Sequence, residues 1–202
     1  MPGLIHAHWH AFMASVPQTV LMTADSAYLQ LLAAREAEAT VMRGFTTVRD
    51  VGGPVFGLKR AIEEGAMIGP RIYPSGAFIS QTSGHGDFRF SFEIPRTLGG
   101  PPSHSEVEGV AAIADSPDEV RLRAREQLRQ GASQIKLMAG GGVASPYNPI
   151  ESTPVHRTRD SFRGGGGREL GHLCDRTRLY PARDSASGCR RCQVHRTRSL
   201  NR

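Results

Sequence analysis

The chain has 202 residues, enough for one domain with a buried core, and a formal net charge of +6. The charge is uneven: residues 155–202 hold 12 Arg against 4 acidic residues, whereas residues 1–154 hold 13 basic against 15 acidic residues. The basic composition therefore gives no reason to expect nucleic-acid binding by the first 154 residues. The sequence contains neither an apolar run of about 18 residues nor a charged-then-apolar leader, so we expect a cytoplasmic protein that does not contact a membrane.

Short apolar runs alternate with amphipathic stretches over the first 145 residues or so, a pattern typical of βα units around a parallel sheet. Each predicted strand is short, apolar or β-branched, and followed by Gly, Pro or Ser. The four predicted strands are Leu4–His10, Thr46–Asp50, Arg71–Ser75 and Gln134–Met138.

Three helices are predicted between these strands. Ser26–Met42 has apolar residues at helical spacing, and Gly44 lies just beyond its end. A second helix follows Pro54. The third has the strongest local signals, because Ser116 can cap it and the residues after the cap complete a capping box. Residues 80–114 are rich in Gly, Pro and Ser, and we expect them to form a loop over the strand ends.

His6, His8 and His10 alternate with other residues in the first predicted strand. On a strand this spacing turns all three imidazoles toward one face. Two neutral imidazoles from one strand can bind the same divalent ion. From the spacing alone, a buried core histidine or a chance His-x-His pair remains an open interpretation.

Five motifs together resemble the amidohydrolase superfamily, and within it the imidazolonepropionase-like and Xaa-Pro dipeptidase-like branch. The first is PGLIHAHWH, which is similar to the P-G-x-I-D-x-H-x-H of the family's first barrel strand. The others are GFTTVRDVGG from Gly44, GPRIYPSG from Gly69, SGHGD from Ser83 and QIKLMAGGGVASP from Gln134. The resemblance covers residues 1–154. It implies an α/β fold, a partial (β/α)8 TIM barrel of which this chain holds the first half only, because a whole barrel takes roughly 250 residues.

The resemblance implies that His8 and His10 are metal ligands for one or two divalent ions, with zinc as the expected metal. His6 stands where the family usually has Asp. Lys136 corresponds to a lysine whose carbamate bridges two metal ions, although a lysine extending from a strand end to solvent is the alternative. His85 corresponds to a substrate-contacting residue, with a surface turn as the alternative. Asp50 lies where barrel enzymes keep their sites, or it caps the next helix.

The expected activity is hydrolysis by metal-activated water of C–N bonds other than typical peptide bonds, or of Xaa-Pro dipeptides. The partner of the intact family is thus a small amide or dipeptide, with no nucleic acid and no membrane. No catalytic residue is assigned, since the late-strand aspartate expected to move the proton is absent from the matched part. We therefore expect this chain to be an inactive fragment. It is also expected to lack a strand-rich N-terminal segment.

The sequence after residue 154 predicts a separate, non-globular tail, 155–202, that is disordered or irregular. We hypothesise that this tail is translated in a shifted reading frame, because residues 175–182 and 191–199 can encode histidine-bearing strands of the family when read one base away. The alternative is an Arg-rich zinc module that contacts nucleic acid. Its ligands would be Cys189, Cys192 and His195, with Cys174 or His172 as a fourth.

Overall fold

The computed structural model describes residues 2–13 and 16–138. These residues belong to the first of two units into which the chain divides, Met1–Pro154 and Val155–Arg202. The predicted non-globular tail and its cysteines lie outside the described residues, so their character stays a prediction. Within the part that the structure describes, no helix is both long and apolar enough to cross a membrane.

A parallel sheet of three strands forms the centre of the described part. The strands are β1 (Leu4–Trp9), β2 (Phe45–Asp50) and β3 (Arg71–Pro74), in the order β1-β2-β3. Two further strands, β4 (Phe78–Ser80) and β5 (Ala111–Ile113), pair in parallel with each other. The parallel α/β architecture predicted from the sequence is thus confirmed, with the first three strands within a residue of their predicted bounds.

Two predictions about the second half of this region were wrong. Gln134–Met138 was predicted to be a strand, yet it forms only an isolated parallel bridge between Leu137 and Ile79. Residues 80–114 were predicted to be a loop, yet they contain β5, the helix α4 (His104–Val107) and a 3-10 turn. A strand of three residues is too short to show a period, so β5 is defined by its pairing with β4 rather than by its local sequence. The signal for α4 is the capping box of Ser103 and Glu106, which the prediction overlooked.

The helices follow local signals. They are α1 (Gln18–Thr23), α2 (Ser26–Met42), α3 (Phe56–Glu63) and α5 (Pro117–Arg129). The side chain of Asp25 accepts hydrogen bonds from the first backbone N–H groups of α2, and Gly44 just after this helix has φ 91°. Ser116 caps α5 by accepting from the N–H of Glu119. The three predicted helices are therefore present, and α1 was missed.

The two faces of the three-stranded sheet differ. One face packs against helices α2 and α3, in a core of Trp9, Val48, Ile72, Ala33 and Leu58 among others. The opposite face lines a cavity of about 490 Å³, with Ile5, Thr47, Arg49, Arg71, Tyr73 and Gln134 on its walls. Because β2 and β3 are in register, Arg49 lies beside Tyr73 on this second face. The sheet therefore presents polar side chains on the side away from its helices.

Candidate metal centre

His8 and His10 lie at the carboxyl end of β1, and their imidazole rings meet. The ring centroids are 5.1 Å apart, and the rings are tilted by 64°. His6 instead contacts the ring of Phe45, at 5.3 Å between centroids, and its Nδ1 accepts a hydrogen bond from the backbone N–H of His8. The structure therefore brings two of the three alternating histidines together as a pair.

Both imidazoles of this pair are held in their neutral form. Burial lowers the pKa of His10 to about 4, assisted by the nearby charges of His8 and Lys136. Burial also lowers the pKa of His8, followed by the charges of Lys136 and Arg49. A neutral imidazole keeps the nitrogen lone pair that a metal ion needs. The buried Nδ1 of His10 has no hydrogen-bond partner among the described residues.

The third candidate ligand, Lys136, lies near the C-terminal end of the described residues. Hydrogen bonds to Ile79 hold the backbone here: the N–H of Ile79 donates to the Lys136 carbonyl at 2.9 Å, and the N–H of Met138 donates to the Ile79 carbonyl at 2.8 Å. The positive charge of Lys136 lowers the pKa of His8, His10 and His85, so the ammonium lies within electrostatic reach of all three rings. Burial, and then the charge of Arg49, lower the pKa of Lys136 itself.

Asp50 fixes the chain directly beyond His10. Its buried carboxylate accepts hydrogen bonds from the N–H of Ala11 at 2.8 Å and the N–H of Gly52 at 3.1 Å. Burial raises the pKa of Asp50 to about 7, against the opposing effect of these two bonds. The alternative that Asp50 caps the next helix is wrong, because α3 begins after Val55 without a side-chain cap. Asp50 instead connects the ends of β1 and β2.

His85 lies at the tip of the loop that follows β4, between Gly84 and Gly86. It is half-buried, and burial followed by the charge of Lys136 lowers its pKa. Its Nδ1 is buried and has no hydrogen-bond partner among the described residues. The ring is therefore neutral and can accept or donate a hydrogen bond to a molecule in the site.

Sequence reasoning missed Arg49. Its Nε donates to the carbonyl of Ala7 at 2.6 Å, so the guanidinium crosses from β2 to the strand that carries His8. The available signal was its position in β2, where Arg49 alternates with the apolar Val48 that packs on the helices. Together with Lys136, it makes this end of the sheet positively charged.

The described residues supply part of the ligand set that a metal ion needs. The imidazoles of His8 and His10 meet, and the half-buried amine of Lys136 lies within electrostatic reach of both. Such nitrogen donors suit zinc and other divalent transition metals. In residues 2–13 and 16–138 there is no group of three or more His, Cys, Asp or Glu side chains that could hold an ion. Further ligands would have to come from outside these residues.

Comparisons with known proteins identify the family. The sequence profile described as the Amidohydrolase family matches residues 1–158. Ochratoxinase from Aspergillus niger is 40% identical over 117 residues, which are 55% of this chain and 24% of ochratoxinase. The chain thus spans about a quarter of the length of this curated relative.

Solved structures share the fold. A prolidase complexed with N-methylphosphonate-L-proline is 36% identical with a TM-score of 0.70, over 82% of this chain and 41% of the prolidase. Aspergillus niger ochratoxinase is 34% identical with a TM-score of 0.65, over 77% of this chain and 37% of that enzyme. A Xaa-Pro dipeptidase with bound methionine is 28% identical with a TM-score of 0.65, over 84% of this chain and 41% of the dipeptidase.

These matches confirm the predicted fold class: the chain corresponds to part of a metal-dependent-hydrolase barrel, with dipeptidase-like and ochratoxinase-like relatives. The motifs quoted from the sequence all lie within the matched residues. The chain belongs to the amidohydrolase family.

Proposed function

We propose that this chain binds a divalent cation, zinc in the first instance, through His8 and His10. The observation that carries the proposal is the contact of these two rings at the end of β1, 5.1 Å apart and both neutral at physiological pH. Residues two apart in extended backbone point to the same face, so two such imidazoles can bind one ion. The bound ion would be part of the hydrolytic centre of an amidohydrolase.

Lys136 is proposed as a further ligand after its amine has reacted with carbon dioxide. The reaction requires the neutral amine, and both burial and the charge of Arg49 favour that form by lowering the pKa of Lys136. The product is an anionic carbamate with two oxygens, which suits one or two divalent ions. A carbamate here would also place a negative charge within reach of the Arg49 guanidinium.

The proposed reaction is hydrolysis of a C–N bond in a small amide or an Xaa-Pro dipeptide. The substrate classes come from the relatives, a prolidase and an ochratoxinase. When bound, the metal supplies the acidification of a water molecule and the polarisation of the substrate carbonyl. Within this chain, His85 would contact the substrate from the loop after β4, and Asp50 would hold the backbone next to His10.

We propose that the chain by itself does not turn over substrate. The described residues offer two imidazoles and one lysine, and they offer no third imidazole or carboxylate at the same point. With Lys136 as the third ligand they would hold one zinc ion with an open position for water, but none of the described residues is assigned to move the proton of that water. Metal binding and hydrolysis are therefore separable properties, and we expect the first without the second.

The experiment is a zinc titration of the full chain by calorimetry, using a Cys174→Ser/Cys189→Ser/Cys192→Ser variant so that the tail cysteines cannot contribute. We expect this variant to bind zinc, and His8→Ala/His10→Ala in the same background to lose that binding. His104→Ala, a histidine in α4 outside the site, is the matched control and should bind as before. Zinc binding by the wild type that is lost on replacing the three cysteines, and kept on replacing His8 and His10 alone, would instead support the Arg-rich zinc module.

Hydrolysis is tested on the same samples with an Xaa-Pro dipeptide and a cyclic amide. We expect no product above the rate of the buffer. Chelator-sensitive hydrolysis by the purified chain would contradict the proposal that the chain by itself does not turn over substrate.

A further inference from the structure

Asp87 is a buried carboxylate inside the loop that carries His85. Its side chain accepts the backbone N–H of Ser83 at 2.7 Å on Oδ2 and the Nε of Arg89 at 2.8 Å on Oδ1. The Nη2 of Arg89 also forms an ion pair with Oδ2 of Asp87, and the Nη1 of Arg89 donates to the carbonyl of Glu93. Burial alone would raise the pKa of Asp87, but the bonds from Arg89 and Ser83 outweigh it and lower the pKa. Asp87 is therefore ionised at neutral pH.

The backbone around Asp87 forms a closed loop with little room for adjustment. The N–H of Asp87 donates to the carbonyl of Gly84 at 3.0 Å, and the N–H of Gly86 donates to the Ser80 hydroxyl at 3.1 Å. Ser83 has φ 57°, a left-handed conformation that a serine adopts only when its surroundings impose it. The hydrogen bond from Ser83 to Asp87 supplies that constraint.

The two glycines beside His85 allow this tight packing. A Cβ on Gly86 would lie 2.7 Å from the ring of Phe78, and one on Gly84 would lie 2.5 Å from the Ser80 hydroxyl. Both distances are shorter than van der Waals contact. The loop thus packs directly onto the end of β4, and this arrangement fixes the backbone position of His85.

The imidazole of His85 has no comparable support of its own. Its buried Nδ1 has no hydrogen-bond partner among the described residues, so the ring direction depends on the backbone that carries it. We infer that Asp87, held by Arg89, is a positioning residue that keeps the His85 imidazole half-buried beside the metal centre. This inference rests on the proposed function, because it takes Lys136, His8 and His10 to be that centre.

The test compares the reactivity of individual histidines in the full-length chain. Diethyl pyrocarbonate modifies accessible neutral imidazoles, and mass spectrometry of peptides assigns the rate to each histidine. In Asp87→Ala we expect His85 to react about tenfold faster, the factor that corresponds to losing one charge-assisted hydrogen bond. His10 and His104 should react at the wild-type rate. Arg89→Met should reproduce the effect, and the conservative Arg89→Lys should restore most of the protection.

Asp115→Asn provides the matched control. Asp115, an exposed carboxylate just after β5, accepts the N–H of Thr82 at 2.7 Å and its hydroxyl at 2.6 Å, so this variant disturbs a second carboxylate that binds the start of the same loop. We expect no change at His85. An unchanged His85 rate in both Asp87→Ala and Arg89→Met would overturn the inference. So would an equal increase at all histidines, or an equal effect of Asp115→Asn, because either would assign Asp87 to general stability.

Zinc titration of the same variants separates this inference from the proposed function. We expect Asp87→Ala to bind zinc as the wild type does, because Asp87 contacts neither His8 nor His10. Selective exposure of His85 in a chain that binds no zinc would support the loop arrangement and reject the metal centre. Zinc binding by Asp87→Ala together with an unchanged reaction rate of His85 would support the metal centre and reject the positioning role of Asp87.

Discussion

His10 and Asp50, two titrating groups at the end of β1, have opposite effects on the pH dependence of stability, and this gives a sharp prediction for the metal-free chain. The pKa of His10 is lowered to about 4 by burial, and the pKa of Asp50 is raised to about 7 by burial. The uncharged variant His10→Gln removes the contribution of His10 to the pH dependence of stability and leaves that of Asp50. The variant Asp50→Asn does the opposite.

The sign for each group follows from proton linkage. Between pH 4 and 6.5 the unfolded chain protonates His10 and the folded chain does not, so the free energy of unfolding rises with pH over that range. At about 1.36 kcal/mol for each tenfold change in proton affinity, His10 contributes about 3 kcal/mol over the full range. Asp50 is ionised in the unfolded chain and protonated in the folded one between pH 4 and 7. The contribution of Asp50 to the free energy of unfolding is therefore lost as pH rises, and the total loss is about 4 kcal/mol.

In the wild type these two contributions nearly cancel between pH 4.5 and 6.5. We expect the free energy of unfolding of His10→Gln to fall with increasing pH relative to the wild type, and that of Asp50→Asn to rise. Each relative change should be about 2 kcal/mol over this interval. The double variant should follow the wild type.

Urea unfolding monitored by tryptophan fluorescence measures these values. Trp9 is the single tryptophan of the chain, it is 3% exposed, and it lies between His8 and His10 in sequence. The titration is done at several pH values in the presence of a chelator. If both single variants keep the wild-type pH dependence, the burial of these two groups is not as the structure has it, and the reasoning is refuted.

Three further predictions concern packing, capping and metal. Gly86→Ala places a methyl group 2.7 Å from Phe78 and should lower the free energy of unfolding by about 1–3 kcal/mol. Gly57→Ala in α3 places a methyl group with no atom within 4 Å and should raise the free energy of unfolding slightly. Urea unfolding measures both variants. Asp25→Ala removes the N-cap of α2 and should cost about 1 kcal/mol in the same assay, while Asp25→Asn should cost less. Zinc at about 100 times its dissociation constant should stabilise the chain by about 2.7 kcal/mol, and a chelator should reverse this gain in thermal unfolding.

Local signals predicted the three longest helices, α2, α3 and α5, but missed the short helices α1 and α4 and the short strands β4 and β5. The capping residues Asp25 and Ser116 act within three positions in the chain, so the bounds of α2 and α5 follow from nearby sequence. β5 has only three residues, Ala111–Ile113, and exists because it pairs with β4. No period can be read from so short a run.

The candidate site shows the same division between local and long-range information. Strand alternation predicted that His8 and His10 would share a face, and their rings do meet. It also placed His6 with them, but β1 has register shifts on both sides of His6, and this ring contacts Phe45 instead. The hydrogen bond from Ala11 to Asp50 spans 39 positions, and the contact of Arg49 with Ala7 spans 42. Contacts over such separations depend on the whole fold and could not be predicted from local sequence.

The most direct test of the account is zinc K-edge X-ray absorption of the zinc-loaded Cys174→Ser/Cys189→Ser/Cys192→Ser chain. We predict scattering from two imidazoles, with the remaining ligands being oxygen or nitrogen, and loss of the imidazole scattering in His8→Ala/His10→Ala. An absence of bound zinc, or a spectrum that is the same with and without these two histidines, would contradict the claim that this pair holds the metal.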